Sequence, residues 1–439
     1  MPYDVIIGRN AADKKSFGER GLIFLGKGYV KMGQYTSLSN NIYMDVARSH
    51  VVLIAGKRGS GKSYSLGVIA EELTNLPKEA SQNIGSLIFD TMGIYWTMKF
   101  KNEKDRALLD EYKLKPKNLP VKIFVPFGHY DKYFEKGIPI DEAFALDVAE
   151  LSAEDWILTF GLDITHPVSI LIQRTIAKIK SKKNFDIDDI INALEREERA
   201  ISETQNAAIG FFEAAKTWGI FAEKESEATQ VKDLIAGGKT TVLDLSVYNS
   251  VGAFNIKALA ISLISRKIFN QRMDARKKEE IKSVSRGLDM LSSFEKKEYP
   301  LVWIFIDEGH EFLPLNEKTV ATDALVQLLR EGRQPGISLV LATQQPGQIH
   351  RDVMTQSDIV IAHRVTSKSD LEALNYIMQS YVLEGIRKNM DDLPTLKGSA
   401  LILDDNSERL YSARIRPRFT WHGGEAPVAI KAEKNHNNF

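Results

Sequence analysis

Apolar residues along this chain fall into two alternating rhythms. The run from His50 to Ala55 is almost unbroken and rich in β-branched side chains, the signature of a strand buried on both faces of a parallel sheet. Runs of the same kind recur at Ser86 to Phe89, Val121 to Val125, Thr240 to Leu245, Leu301 to Ile306, Ile337 to Ala342, Asp358 to Ala362 and Ala400 to Leu403. Several are separated by segments with apolar residues at helical spacing. This alternation predicts an α/β fold, with a parallel-rich central sheet and crossover helices. The first helix is predicted from Lys62 to Leu73, stopping before Pro77.

Other stretches break the rhythm. Asp141 to Phe160, Pro167 to Ile179, Asp186 to Arg199 and Glu203 to Trp218 all carry apolar residues at helical spacing, which predicts a helical insertion. Near the start, Gly21, Gly26, Gly28 and Gly33 punctuate short apolar runs such as Leu22 to Leu25, a pattern for a small β-hairpin. Arg272 to Glu298 is dominated by charge and reads as an exposed helix end and loop, and the polar stretch from Glu425 reads as a mobile tail. The expected organisation is a short β segment (1–48), a first core part (49–135), the helical insertion (136–238), a second core part (239–424) and the tail (425–439).

Composition narrows the chemistry. At roughly 100 to 200 residues per domain, 439 residues make two or three units, or one large core with insertions. The chain has 58 basic and 58 acidic residues and no cysteine. Disulfides, zinc–thiolate sites and thiol nucleophiles are thereby excluded. With zero net charge there is no bulk positive field, so any DNA contact must come from local basic loops, or from subunits pooling theirs. No secretion signal is legible and no apolar run approaches the ~18 residues of a membrane span; a cytoplasmic location is expected.

The strongest motif is Gly56, Lys57, Arg58, Gly59, Ser60, Gly61, Lys62 and Ser63, which fits GxxxxGK[ST] directly between a buried strand and a helix. Glycines let such a loop wrap so that its N–H groups face phosphates, and the helix N-terminus adds its positive dipole end. The loop through Tyr64 is therefore the predicted nucleotide cradle, with Lys62 on the β and γ phosphates and Ser63 on magnesium. A second strand delivers Asp307 and Glu308 at its C-terminal end, where open α/β sheets bind ligands. Asp307 is the second magnesium anchor, and Glu308 the base that orients and deprotonates water. The next strand ends in Thr343, Gln344 and Gln345, and Gln344 can touch the γ-phosphate or the attacking water. Upstream, Arg330 and Arg333 sit in a Gly/Pro loop, and a fixed guanidinium suits the charge of a transferring phosphoryl group. Spacing does not reveal whose phosphate it serves.

These residues together resemble the HerA/FtsK superfamily of hexameric DNA-pumping ATPases, the HerA branch in particular, from about Leu22 to Gly424. The resemblance rests also on Phe89 to Tyr95, similar to a DPHGEY-type segment, on Arg330 to Gln345, Ser357 to Arg364, and on Arg416 to Gly424. It implies a RecA-like P-loop NTPase core using ATP and Mg2+, with Lys62, Ser63, Asp307 and Glu308 in the roles above. It further implies Asp90 as a supporting acid, Gln344 as sensor and Arg333 as an arginine finger reaching the adjacent subunit. Three departures stand out. Ser49 holds a place often filled by arginine, with Arg48 one residue earlier; Met92 and Ile94 replace the His and Glu of the DPHGEY pattern; and the first fifty residues leave room for only a remnant of the family's nuclease-docking β-barrel.

The resemblance implies a homo-hexameric motor on double-stranded DNA with a NurA-like nuclease or a phage-defence effector as partner. The alternatives are an ATP-gated scaffold that regulates such an effector, or a related conjugation or secretion pump. Lesser signals are bland: His129, His166 and His363 show no metal spacing and read as surface or hydrogen-bonded histidines. His310 either orients Glu308 or packs in the core. Trp96, Lys99, Phe100 and Lys101 fit an amphipathic helix better than a track for a DNA backbone.

Overall fold

The computed structural model describes residues 4–32, 35–182, 184–249, 254–286, 296–365, 367–377 and 385–424. The expected tail from Glu425 lies outside the described residues, as do residues 287–295 of the charged stretch.

One thirteen-stranded sheet organises the molecule. Its strands are β1 (Val5–Ile7), β2 (Leu22–Met32), β3 (Tyr35–Asp45), β4 (Val51–Ala55), β5 (Ile84–Asp90), β6 (Val121–Pro126), β7 (Glu142–Phe144), β8 (Thr240–Asp244), β9 (Leu301–Ile306), β10 (Ile337–Thr343), β11 (Ile359–His363), β12 (Ser399–Asp404) and β13 (Arg409–Ile415). Across the sheet the order is β1-β3-β2-β13-β12-β11-β4-β10-β9-β5-β8-β6-β7. The eight strands from β11 to β7 run parallel, while β12, β13, β2 and β3 extend the sheet antiparallel. Side chains alternate across the pleat, so Val52, Ile54, Trp303 and Phe305 fill one apolar layer, and Leu53, Ala55, Ile304 and Ile306 the other. Burial on both faces is why these strands read as unbroken apolar runs.

Helices cover the two faces: α1 (Ala11–Phe17), α2 (Lys62–Asn75), α3 (Ala153–Thr159), α4 (Pro167–Ile179), α5 (Ile187–Glu195), α6 (Ser202–Lys216), α7 (Phe254–Arg286) and α8 (Thr322–Glu331) are the ones used below. Helix α2 ends at Asn75, with Leu76 already extended ahead of Pro77, as residues before proline must be. In the insertion, Ser152 and Asp155 cap α3 reciprocally, and Asp186 and Asp189 do the same for α5. Trp156 is fully buried among Phe160, Phe212 and Phe221.

Three local expectations change. Asp141 to Phe160 is not one helix: β7 pairs with β6 before α3 begins. Phe144, Leu146 and Val148, all buried, stand two apart, a strand period that the wider helical pattern masked. Trp96 to Phe100 forms a short 3-10 turn (Tyr95–Lys99), with Trp96 Nε1 donating to the Gly93 carbonyl at 3.0 Å and Phe100 half exposed. The charged stretch does form the exposed end of α7 from Lys277 on, but it begins inside the helix, where Arg272 is 2% exposed.

A buried anion ties the chain's last described segment to α2. Glu71, fully buried, accepts from Arg416 Nη1 at 3.1 Å, Arg418 Nε at 3.1 Å, Phe419 N at 3.0 Å and Thr420 N at 3.0 Å. Both arginines are themselves fully buried. Gly67, one turn earlier, leaves room for them: a Cβ there would lie 2.5 Å from Arg418 Nη1. Such a network holds only when complete, because removing one partner strands the others' charge in low dielectric. Glu71→Ala is expected to cost about 3–5 kcal/mol, read as a lowered urea midpoint; a midpoint within error of wild type would show the network to be dispensable.

Candidate functional site

The C-terminal ends of β4, β10, β9 and β5 lie side by side, and each continues into a segment that carries chemistry. After β4, the Gly56 N–H donates to the Thr343 carbonyl at 3.2 Å and the Lys57 N–H to the Arg364 carbonyl at 3.1 Å, which fixes the start of the loop to both flanking strands. A Cβ at Gly56 would come within 2.5 Å of Ser60 Oγ and 2.7 Å of His363 Cβ. Gly61, with φ 112°, caps α2 in a backbone region that other residues avoid. The Ser60 hydroxyl is buried without a partner. An orphaned donor inside a wrapped glycine loop fits a phosphate oxygen.

Lys62 is 5% exposed, and its ammonium folds back to donate to the Lys57 carbonyl at 3.3 Å. Burial pulls its pKa below the ordinary lysine value, opposed by Glu308 and Asp307. The two acids are thus close enough for their charge to act on the lysine. Tyr64 turns the other way: its hydroxyl accepts the Arg418 N–H at 2.6 Å, committing its side chain to the C-terminal segment.

Asp307 and Glu308 follow β9. Asp307 is buried; one carboxylate oxygen accepts the Glu308 N–H at 2.9 Å and the other accepts the Tyr95 hydroxyl at 3.3 Å. Tyr95 also lies 3.3 Å from the Ser63 carbonyl. One phenol thus holds the predicted magnesium residues Ser63 and Asp307 beside each other. A hydroxyl and one carboxylate, completed by phosphate oxygens and water, are the donors magnesium takes in nucleotide sites, so these residues fit that ion. Tyr95 itself is set by Asp90, whose carboxylate accepts the N–H groups of Met92 (3.2 Å), Gly93 (2.7 Å) and Tyr95 (2.7 Å). Burial, and Asp244 on the paired strand β8, push the Asp90 pKa above the ordinary carboxylate value. Asp90 is thereby placed behind the site, ordering the turn that carries Tyr95.

Glu308 stands at φ 52°, ψ 44°, a left-handed conformation rare for a side chain of this size that costs roughly 1–3 kcal/mol and is held at functional sites by surrounding structure. One carboxylate oxygen accepts from Gln344 Nε2; the other is buried with no hydrogen bond and lies 3.6 Å from His310 Nδ1. His310 also meets Thr343 Oγ1 at 3.1 Å. Burial and the adjacent Asp307 raise the Glu308 pKa, while Gln344 and Lys62 lower it. The free oxygen is the one positioned to take a proton.

The structure thus brings Lys62, Ser63, Asp307, Glu308 and Gln344 to one edge of the sheet. Arg333 is not among them. It precedes β10, whose seven residues at ~3.3 Å each put about 20 Å between the two ends. Arg333 is exposed on the opposite edge, beside Arg48 and Ser49 ahead of β4, in a cleft also lined by Asp13 and Arg272. Among the described residues it makes no ion pair.

Two supports were not legible in the sequence: Tyr95 and His363. His363 ends β11; its Nδ1–H donates to the Ser399 carbonyl at 3.0 Å, so Nε2 accepts from Ser65 Oγ at 2.8 Å. His129 and His166 are hydrogen-bonded too: His129 Nε2 to the Trp218 carbonyl at 3.2 Å, and His166 Nδ1 accepting the Val168 N–H at 3.3 Å.

A glycine loop between strand and helix, an acidic strand end and a polar neighbouring strand end define a RecA-like P-loop NTPase. The HerA helicase central-domain profile matches residues 30–268, more than half of the chain, and the chain belongs to that family. It is 23% identical over 369 residues to the DNA double-strand break repair helicase HerA of Sulfurisphaera tokodaii, covering 82% of this chain and 62% of that one. A probable DNA double-strand break repair helicase HerA of Methanocaldococcus jannaschii is 34% identical over 93 residues, covering 21% of this chain and 18% of the other. The chain thus spans less than two thirds of these relatives' length. In fold it is similar to VirB4 of Thermoanaerobacter pseudethanolicus, with TM-score 0.55 and 11% identity over 90% of this chain and 96% of that one. Among the described residues no helix is long and apolar enough to cross a membrane, and no group of three metal-ligating side chains occurs.

Burial lowers the His363 pKa to about 4. The folded state therefore holds this ring neutral where the unfolded chain, near 6.5, protonates it. Its contribution is present above pH 6.5 and lost as pH falls toward 4. Thermal denaturation of wild type is expected to lose stability over that window more steeply than His363→Gln does; parallel pH profiles would count against the assignment.

Proposed function

We propose that this chain is an ATP-hydrolysing HerA-like motor whose subunits form a homo-hexameric ring on double-stranded DNA, acting with a nuclease or a defence effector. The observation that carries the reading is the division of the catalytic set between two edges. Lys62, Ser63, Asp307, Glu308 and Gln344 share one; Arg333 stands about 20 Å away, farther than its own side chain extends. A guanidinium that cannot reach its own site is useful at a neighbour's, and a closed ring supplies a neighbour to every subunit. Zero net charge is compatible, since a ring repeats each basic loop around one channel.

The chemistry follows from the geometry. Loop N–H groups, the Ser60 hydroxyl and Lys62 hold the phosphates. Ser63 and Asp307 would hold magnesium, which would supply neutralising charge to the phosphates. Glu308, fixed by Gln344 on one oxygen, orients water and accepts its proton on the other. Its raised pKa brings it closer to neutrality, where a general base is most effective. Gln344, hydrogen-bonded to the base, reports the state of the γ position. Arg333 of one subunit stabilises transition-state charge in the next.

Glu308→Gln is expected to bind ATP as wild type does while hydrolysis falls about a hundredfold or more; wild-type turnover would remove Glu308 from the role. Mixing wild type with Arg333→Ala subunits is expected to lower ATPase activity below the proportional line, because each defective finger silences a wild-type neighbour. Linear dilution, a monomeric mass in ATP, or turnover indifferent to duplex DNA would each overturn the ring-motor reading.

A further inference from the structure

An exposed guanidinium on a loop completes a shared site only if its backbone is held in place, since misplacement by about an ångström can cost a hundredfold in rate. The Arg333 loop is held from behind. Arg272, 2% exposed on α7, donates from Nε to the Pro335 carbonyl at 2.8 Å and from Nη1 to the Tyr299 carbonyl at 2.7 Å. Glu279, two turns on, lies 3.5 Å from the same Nη1 and offsets its charge. Pro335 is two residues beyond Arg333, and Tyr299 two residues before β9. Gly336 closes the corner: it adopts φ +85°, packs against Leu301 where a Cβ has no room, and its carbonyl accepts the Val302 N–H at 3.1 Å. The neighbour-facing loop and the first residues of β9 are therefore one unit, held by the Arg272 guanidinium together with the Gly336–Val302 hydrogen bond. The other end of β9 is Asp307 and Glu308.

We propose that Arg272 is the positioning residue for Arg333, and that by gripping Tyr299 as well it links contact with the adjacent subunit's nucleotide to this subunit's own acidic strand end. The assignment rests on the shared-site reading above. It explains a buried arginine where apolar side chains could close the corner: burying a charge costs free energy, and two carbonyls on separate segments need a planar fork to be held together. A push on the Arg333 loop is passed to the start of β9 through two hydrogen bonds to one rigid group. The chain then has a route by which one subunit's ATP influences hydrolysis in the next.

The test is a double-mutant cycle on the full chain, read as ATPase kcat, KM and Hill coefficient, with particle mass as control. Arg272→Gln is expected to assemble as wild type, keep KM within about twofold, lose about ten- to a hundredfold in kcat and reduce any cooperativity in ATP. Arg272→Lys, which keeps the charge and one bond, is expected to fall between. In the Arg333→Ala background, adding Arg272→Gln is expected to change kcat by less than twofold, because Arg272 acts through Arg333. Multiplying defects in that background, or wild-type kcat and Hill coefficient in Arg272→Gln, overturns the proposal. Should Arg272→Gln not fold, the same cycle with Arg272→Lys decides. The underlying reading fails separately, by linear dilution in the Arg333→Ala mixing experiment.

Discussion

Strands β4, β10 and β9 lie side by side and run the same way, so the molecule has two unlike edges a fixed distance apart. Everything chemical depends on that separation. Loops that follow the strands collect the cradle, the acids and the polar sensor; loops that precede them carry Arg48 and Arg333, with Arg272 of α7 packed behind. Neither set can be drawn to the other without breaking the ladder between them, and burial of those strands on both faces makes the ladder the costliest part of the structure to disturb.

Within the first edge, the arrangement is over-determined by groups that do not face phosphate. Asp90 spends its carboxylate on three backbone N–H groups, and the turn so formed presents the Tyr95 hydroxyl to Asp307 and to the Ser63 carbonyl. On the far side His363 ties Ser65 to β12. That is the support a reactive set needs if residues from three strands are to meet one triphosphate.

How much of this was legible in the sequence depended on the span of each interaction. The glycine loop, Asp307 and Glu308 are local patterns tied to strand ends, and position alone marks them. Fold class followed from apolar runs, since strands buried on both faces leave little room for polar residues. Tyr95 reaches Asp307 across 212 residues and Ser65 meets His363 across 298; no local period encodes such pairings. The left-handed backbone at Glu308 was invisible for another reason: it is imposed by its surroundings against the residue's own preference. Strand β7 was lost because its alternation is short and adjoins genuine helices. The split of Arg333 from the other catalytic candidates emerged only once strand direction was known.

Glu71 carries a consequence for how the protein is made. Helix α2 emerges early in synthesis with a carboxylate at its centre and no cation to meet it, because Arg416 and Arg418 are some 345 residues away. Until those arginines leave the ribosome, the helix behind the phosphate loop holds an unmatched charge that resists burial. The nascent chain therefore cannot seal this layer in order of synthesis. A chain broken off before residue 416 lacks both guanidinium counterions that Glu71 has in the folded protein.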